Sequence, residues 1–249
     1  EPDVAVAIFG DRIDVARHFT ASLGELGEKY GLIGPLEAER IWTRHILNSA
    51  VIAPLFGAGG RVGDVGSGAG LPGLVLAIAR PDVQWVLIEP MERRVRWLSD
   101  QAAELELPNV EVVRARAEEV DTSLALDQVT ARAVSALRTL IPLTVPLLRV
   151  GGELVLLKGE GAAAEIEKAD KVIRKFKLTD VRVDVVGEDL LPVPSRVIRG
   201  IFDPPIEFYR PIPPLAYLPP IVIWCGIGEL SKVLLIYLAI FAPIAIAPA

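Results

Sequence analysis

Apolar residues step by three or four positions through Val15, Phe19, Leu23, Leu26 and Tyr30, the spacing of one buried helix face. A second helix is predicted over Leu36 to Leu55. Short apolar runs bounded by turn residues then begin to alternate with helical periodicity. Val62–Val65, Val83–Ile88, Val110–Val113, Gln128–Ala131 and Leu154–Leu157 read as strands. Between them, helices are predicted at Leu71–Ala79, at Met91 to Leu105, at Leu137–Leu148 with interruptions at Pro142 and Pro146, and at Ala162–Phe176. Val181–Val186 and Arg196–Ile201 suit a final pair of strands. Such alternation predicts an α/β fold, a mostly parallel sheet covered by helices on both faces. Ligands bind such sheets beyond the carboxyl ends of the strands, where strand order reverses.

The pattern changes after about residue 200. The chain has 249 residues, and its last 49 hold two basic and three acidic ones, none of them after Lys232. Three segments are expected: a helical cap over residues 1–56, a catalytic domain over 57–200, and a Pro-rich apolar tail over 201–249. The uncharged run Val233–Ala249 is at the short edge of what spans a bilayer and is interrupted by Pro243 and Pro248, so membrane contact through it is marginal. The start, Glu1-Pro2-Asp3, has no basic flank before an apolar run, which predicts no signal peptide and a cytoplasmic location.

Composition narrows the chemistry. A net charge of −6 gives no bulk attraction to phosphate, so a nucleic acid partner needs a local basic patch. One cysteine and two histidines leave little for a metal site, and none is expected.

The densest motif is Asp64-Val65-Gly66-Ser67-Gly68-Ala69-Gly70-Leu71-Pro72-Gly73, at the end of the first predicted strand. Gly66, Gly68 and Gly70 suit a sharp turn with a ligand against bare backbone. The stretch also fits the dinucleotide pattern G-x-G-x-x-G, which several nucleotide-binding families share. Glu89 ends the second strand and suits a grip on a ribose diol. Asp64 lies beneath the turn, and Glu118 follows the third strand. Three acids around one pocket favour a cationic ligand without phosphate, S-adenosylmethionine, over NAD, which wants its pyrophosphate at an open helix N-terminus. A purely structural turn with solvated acids is the remaining alternative.

Arg132 leaves the fourth strand where methyltransferases place their substrate-facing group. No [Asp/Asn]-Pro-Pro-aromatic follows that strand, and Cys225 sits in the tail, so neither amino-group nor pyrimidine C5 methylation is favoured. A ring nitrogen with a free lone pair, such as guanine N7, needs neither device. Lys158 is expected to contact RNA phosphate or the target base. His45 is a candidate for stacking or phosphate contact, with a packing role as the alternative, and Arg196 is a further substrate-binding candidate. Arg93, Arg94 and Arg96 are expected to form a solvated helix face, and Trp42, Trp85 and Trp97 to lie in the core.

These residues resemble the small-subunit ribosomal RNA guanine-N7 methyltransferase family, also called glucose-inhibited division protein B, over about residues 5–200. The resemblance rests on Arg44-His45-Ile46-Leu47-Asn48-Ser49, the glycine motif, Arg116-Ala117-Glu118, Ser135 after Arg132-Ala133, and Leu157-Lys158-Gly159. It implies a class I, Rossmann-like methyltransferase fold with an N-terminal helical cap. It further implies S-adenosylmethionine as cofactor, 16S ribosomal RNA or the small subunit as partner, and a cofactor site lined by Gly66, Leu71, Ala117 and Glu118 with Arg132 beside it. Asn48 stands where that family commonly has Asp, and the usual C-terminal strand is expected to break off near Arg199. Residues 205–246 resemble a fragment of ABC-transporter permeases of the nitrate, sulfonate and taurine type. A nucleotide-sensing domain attached to a membrane transporter is therefore the rival reading.

Overall fold

Five buried or half-buried apolar runs supply the parallel part of one seven-stranded sheet. Its strands are β1 (Arg61–Val65), β2 (Gln84–Ile88), β3 (Val110–Val113), β4 (Leu126–Arg132), β5 (Leu148–Lys158), β6 (Leu178–Val186) and β7 (Ser195–Phe202), in the order β3-β2-β1-β4-β5-β7-β6. Strands β1 to β5 run parallel, whereas β7 pairs antiparallel with both β5 and β6. The order turns back at β1, so the switch point lies beyond Val65 and Arg132. The computed structural model describes residues 1–34, 37, 40–204 and 233, and the permease-like stretch lies outside that range. Glu1–Asp203 forms one compact unit.

Helices α1 (Val4–Phe9), α2 (Ile13–Leu26), α3 (Leu47–Ala50), α4 (Gly73–Ala79) and α5 (Glu92–Glu104) precede β4 or flank β1 to β3 in sequence. Helix α6 (Leu137–Thr144) lies between β4 and β5, and α7 (Ala162–Lys175) between β5 and β6. One core joins Phe9, Phe19, Leu23, Ile46 and Ile52 to Leu74, Ile78, Trp85 and Leu98, and therefore fastens the N-terminal helices to one sheet face. A second core joins Val86, Val129, Leu140, Ile141, Leu156 and Ile198 on the other. Trp85 and Trp97 are buried, and Trp42 packs partly buried against the first core.

Several boundaries differ from the periodicity reading. Helix α1 is short and was not foreseen. The predicted helix at Leu36 to Leu55 is broken into a π-helical turn at Ile41–Ile46, α3, and a 3₁₀ turn at Ala53–Leu55 containing Pro54. A π-turn spreads its side chains around more than one face, so the 3.6 period fails there. The helix after the glycine motif begins at Gly73 and not Leu71, because Leu71 and Pro72 belong to the turn. Strand β5 starts at Leu148, where helix was expected to end, and Pro146 closes the preceding turn. Strand β7 does not break off near Arg199. It runs to Phe202, which pairs with Leu178.

Candidate functional site

The glycine turn is fastened from three sides. Gly66 and Ser67 both donate their N–H to the Ile88 carbonyl, at 2.9 and 3.3 Å. Gly68 N–H donates to Glu89 Oε2 at 3.0 Å. The Trp97 indole on α5 donates to the Ala69 carbonyl at 3.1 Å. Gly66 has φ +74, and a Cβ there would approach Val134 Cγ2 to 2.8 Å, so this position requires glycine. At Gly68 a Cβ would meet only Gly66 O at 3.7 Å, so its constraint is the positive φ of 54 and not filled space.

Asp64 is fully buried and braces the turn from below, with Oδ2 accepting from Gly73 N–H at 3.0 Å. Its other oxygen has no partner, and burial raises its pKa to about 7. The first N–H of α4 is thereby satisfied by a protein carboxylate. A pyrophosphate has no open helix N-terminus here, and the N–H groups of Gly66, Ser67, Gly68, Gly70 and Leu71 are already bonded. This arrangement argues against a dinucleotide.

Two hollows open beyond the strand ends. An inner cavity of about 350 Å³ is lined by Val65, Gly66, Glu89, Met91, Ala117 and Glu118, among others. Glu89 is 1% exposed there. Its Oε1 accepts from Met91 N–H at 3.0 Å, and its Oε2 from Gly68 N–H. Each oxygen keeps a lone-pair direction for a ligand donor, as a ribose diol requires. Carboxylates on Glu89 and Glu118 and apolar walls at Val65, Ile88 and Leu143 fit S-adenosylmethionine in size and donor set. An outer basin of about 1060 Å³ carries Arg40, Arg44, Lys158 and Arg196 with Glu160 and Glu165. Arg132, Ala133 and Val134 line both hollows.

The expected site residues therefore divide. Gly66, Glu89, Ala117, Glu118 and Arg132 line the inner cavity, and Arg132, Lys158 and Arg196 line the basin. Asp64, Gly68, Gly70 and Leu71 do not line the cavity. Asp64 and Gly70 are buried, Gly70 against Leu74, and they shape the turn from behind. Gly68 and Leu71 are half-buried in the same turn, beside the cavity.

Arg132 is not the free substrate-facing cation expected. Its guanidinium donates to the carbonyls of Arg44 (2.9 Å) and His45 (3.2 Å), to Ser49 Oγ (2.9 Å), and to His45 Nδ1 (3.1 Å). Burial lowers its pKa to about 10, with the Arg44 charge adding to the shift. It ties the end of β4 to the π-turn, a positioning role. His45 is likewise engaged at both ring nitrogens. Nδ1 accepts from Arg132, so Nε2–H donates to Glu37 Oε2 at 2.7 Å. Burial, then the Arg132 charge, lowers its pKa and keeps the ring neutral. This corrects the expectation of phosphate contact.

Lys158 donates to the Ser135 carbonyl at 2.7 Å and to Glu165 Oε2 at 2.9 Å. Burial opposes ionisation of Glu165, but the Lys158 ammonium and the Leu137 N–H hold its pKa below the ordinary value. Lys158 thus fixes the 133–136 turn between the hollows. Arg196 pairs in register with Lys158 on β5 and makes no ion pair among the described residues.

Sequence reading missed three residues. Arg94 lines the inner cavity instead of a solvated face, with its Nε buried and unpaired. Arg116 and the half-exposed Met91 line it as well. Their signal was position alone, immediately after the second and third strands. Among the described residues, no group of His, Cys, Asp or Glu side chains could hold a metal, and no helix is long and apolar enough to cross a membrane.

Residues 12–192 match the family described as rRNA small subunit methyltransferase G. The ribosomal RNA small subunit methyltransferase G of Clavibacter michiganensis subsp. michiganensis is 63% identical over 200 residues, 80% of this chain and 94% of that protein. The protein of the same name from Leifsonia xyli subsp. xyli is 64% identical over 200 residues, 80% of this chain and 95% of that protein. Among solved structures, a SAM-dependent O-methyltransferase from Thermotoga maritima aligns with a TM-score of 0.51 and 16% identity over 68% of this chain and 71% of that one. M. jannaschii TYW2 in complex with AdoMet aligns with a TM-score of 0.51 and 20% identity over 64% and 75%. These two likenesses establish the fold: a class I methyltransferase sheet. With the matched segment spanning most of the chain and with relatives above 60% identity, the protein belongs to the rRNA small subunit methyltransferase G family of S-adenosylmethionine-dependent enzymes.

Proposed function

We propose that this protein transfers the methyl group of S-adenosylmethionine to N7 of one guanine in 16S ribosomal RNA, and that it acts in the cytoplasm. One observation supports this above the others: the inner cavity, with the carboxylates of Glu89 and Glu118, and the cationic basin share Arg132, Ala133 and Val134 as a common wall. A methyl donor in the first thus opens directly onto a nucleic acid acceptor in the second. Glu89 grips the ribose, Glu118 lines the same cavity, and Gly66 leaves room for close approach.

When bound, the cofactor supplies an electrophilic methyl group on a positively charged sulfur. Guanine N7 carries a lone pair and no proton, so its attack needs no general base. The N–C bond forms as the S–C bond breaks, and the positive charge passes to the guanine. The protein supplies orientation and charge management. This agrees with two titratable groups beside the wall: His45, bonded to Arg132, has no lone pair to spare, and Lys158 is committed to Glu165 and Ser135.

Incubation with methyl-labelled S-adenosylmethionine and small subunits from a strain lacking the modification tests the proposal. Label is expected in 16S RNA and not in large-subunit RNA. Label in neither, with intact cofactor binding, would overturn it.

A further inference from the structure

The basin has an apolar element that the reaction above does not use. The β6–β7 loop is pinned at both ends. Leu191 is buried in the first core and donates its N–H to the Gly187 carbonyl at 2.9 Å. Ser195 is buried, and its Oγ accepts from Asn48 Nδ2 at 2.6 Å. Between these anchors, Pro192-Val193-Pro194 forms part of the basin wall, with Val193 67% exposed. The two prolines fix φ on either side, so the valine is presented on a stiff backbone. A single exposed valine on an open surface needs no explanation. This one shares its basin with Arg40, Arg44 and Arg196, and with Val134, which is 39% exposed on the wall toward the inner cavity.

An apolar, Pro-stiffened surface beside cations matches the two halves of a nucleotide. The basin, at about 1060 Å³, exceeds what one base fills, leaving room for flanking phosphates. Reaching a base inside a stack requires its extrusion, and an extruded base is held by packing against apolar side chains. Resting on the RNA methylation proposed above, we infer that Val193, flanked by Pro192 and Pro194, is the surface on which the unstacked acceptor base packs, while Arg196 holds a neighbouring phosphate. Val193 is then a specificity-determining residue for an unpaired nucleotide and takes no part in cofactor binding.

The two contacts are separable by salt. A phosphate contact contributes to the slope of log affinity against log salt, and an apolar base contact does not. Full-length Val193→Asn, Val193→Phe and Arg196→Ala are compared with the parent chain in methyl transfer to, and binding of, small subunits lacking the modification. Val193→Asn is expected to lose at least about fivefold in kcat/KM for subunits, with S-adenosylmethionine affinity, melting temperature and salt slope unchanged. Val193→Phe, which keeps an apolar face, is expected to retain at least about half of the activity. Arg196→Ala is expected to flatten the salt slope by about one. Parental activity in Val193→Asn, or a change in its salt slope, would overturn the inference, as would a Val193→Phe as impaired as Val193→Asn. A parent chain that methylates no subunit RNA would instead overturn the proposed function.

Discussion

The inner cavity and the outer basin are built on opposite principles. Around the cavity, most of the turn's backbone N–H groups are spoken for before any ligand arrives. Gly66, Ser67 and Gly68 donate to Ile88 and Glu89, Gly73 donates to Asp64, and Trp97 holds Ala69. The carboxylates of Glu89 and Glu118 keep accepting capacity toward the cavity. In the basin, Arg196 makes no ion pair among the described residues and Val193 is exposed, so ligand-binding capacity is left open. The first region presents a preformed mould for a small molecule. The second presents a charged and apolar field for a large, adaptable partner. Arg132 stands between them and is satisfied by the π-turn, so it transmits position instead of binding directly.

If that contrast is right, substitutions at the joint damage both regions, those in the cavity damage cofactor binding, and those in the basin damage RNA binding. The largest effect is expected at the joint. Arg132→Met leaves two carbonyls and the Ser49 hydroxyl short of a donor, at a cost of about 2–3 kcal/mol. A fall of roughly 5–10 °C in melting temperature is expected for a unit of this size, together with loss of transfer, and differential scanning calorimetry checks it. In the sequence Arg132 read as a substrate-facing group, and nothing there signalled its bonds to Arg44, His45 and Ser49.

Next comes the cavity. Glu89→Gln keeps the shape but offers an amide where two backbone N–H groups and a ligand diol need acceptors. S-adenosylmethionine affinity is expected to fall at least about tenfold, about 1.4 kcal/mol, by calorimetry, while subunit binding is retained. Loss of both together would erase the distinction between the regions.

Two pH dependences of opposite sign follow. Asp64 has a pKa raised by burial to about 7, against an unfolded value near 3.8. The folded state then holds a proton that the unfolded state releases, so its contribution to stability declines as pH rises between those values. Asp64→Asn is therefore expected to be more stable relative to the parent at pH 8 than at pH 5, as read by denaturant titration. His45 has a pKa lowered by burial and by Arg132, so its contribution is present above the ordinary histidine range and is lost on acidification below it. His45→Gln should flatten the fall in stability below about pH 6.5.

The smallest effect is expected at the basin rim. Arg40→Ala removes an exposed charge and should change stability by less than about 0.5 kcal/mol in a thermal melt. The KM for subunits should rise about twofold or more, because the cationic field of the basin is reduced.

The sheet was legible in the sequence because its strands are short apolar runs broken by helices of clear period, and Val62–Val65 and Val110–Val113 fall within a residue of the observed strands. The glycine turn and Glu89 were legible because few side chains fit that backbone. The π-turn at Ile41–Ile46 was not, since its period differs from 3.6. Nor was the engagement of Arg132 with His45 and Ser49, 87 and 83 positions away, or of Lys158 with Ser135, 23 positions away. A charged side chain near a strand exit looks the same in sequence whether it faces a ligand or braces a neighbouring element. Arg94 was misplaced for the same reason: spacing put it on a helix but could not tell which side met the cavity.

The central claim is that the methyl group passes from the inner cavity to a ring nitrogen that has no proton to lose. Nucleoside digestion of 16S RNA after reaction with methyl-labelled S-adenosylmethionine, followed by mass spectrometry, tests it directly. The structure predicts that all transferred label resides in 7-methylguanosine at a single position. Label on an exocyclic amine or a ribose oxygen, each of which must lose a proton, would contradict it.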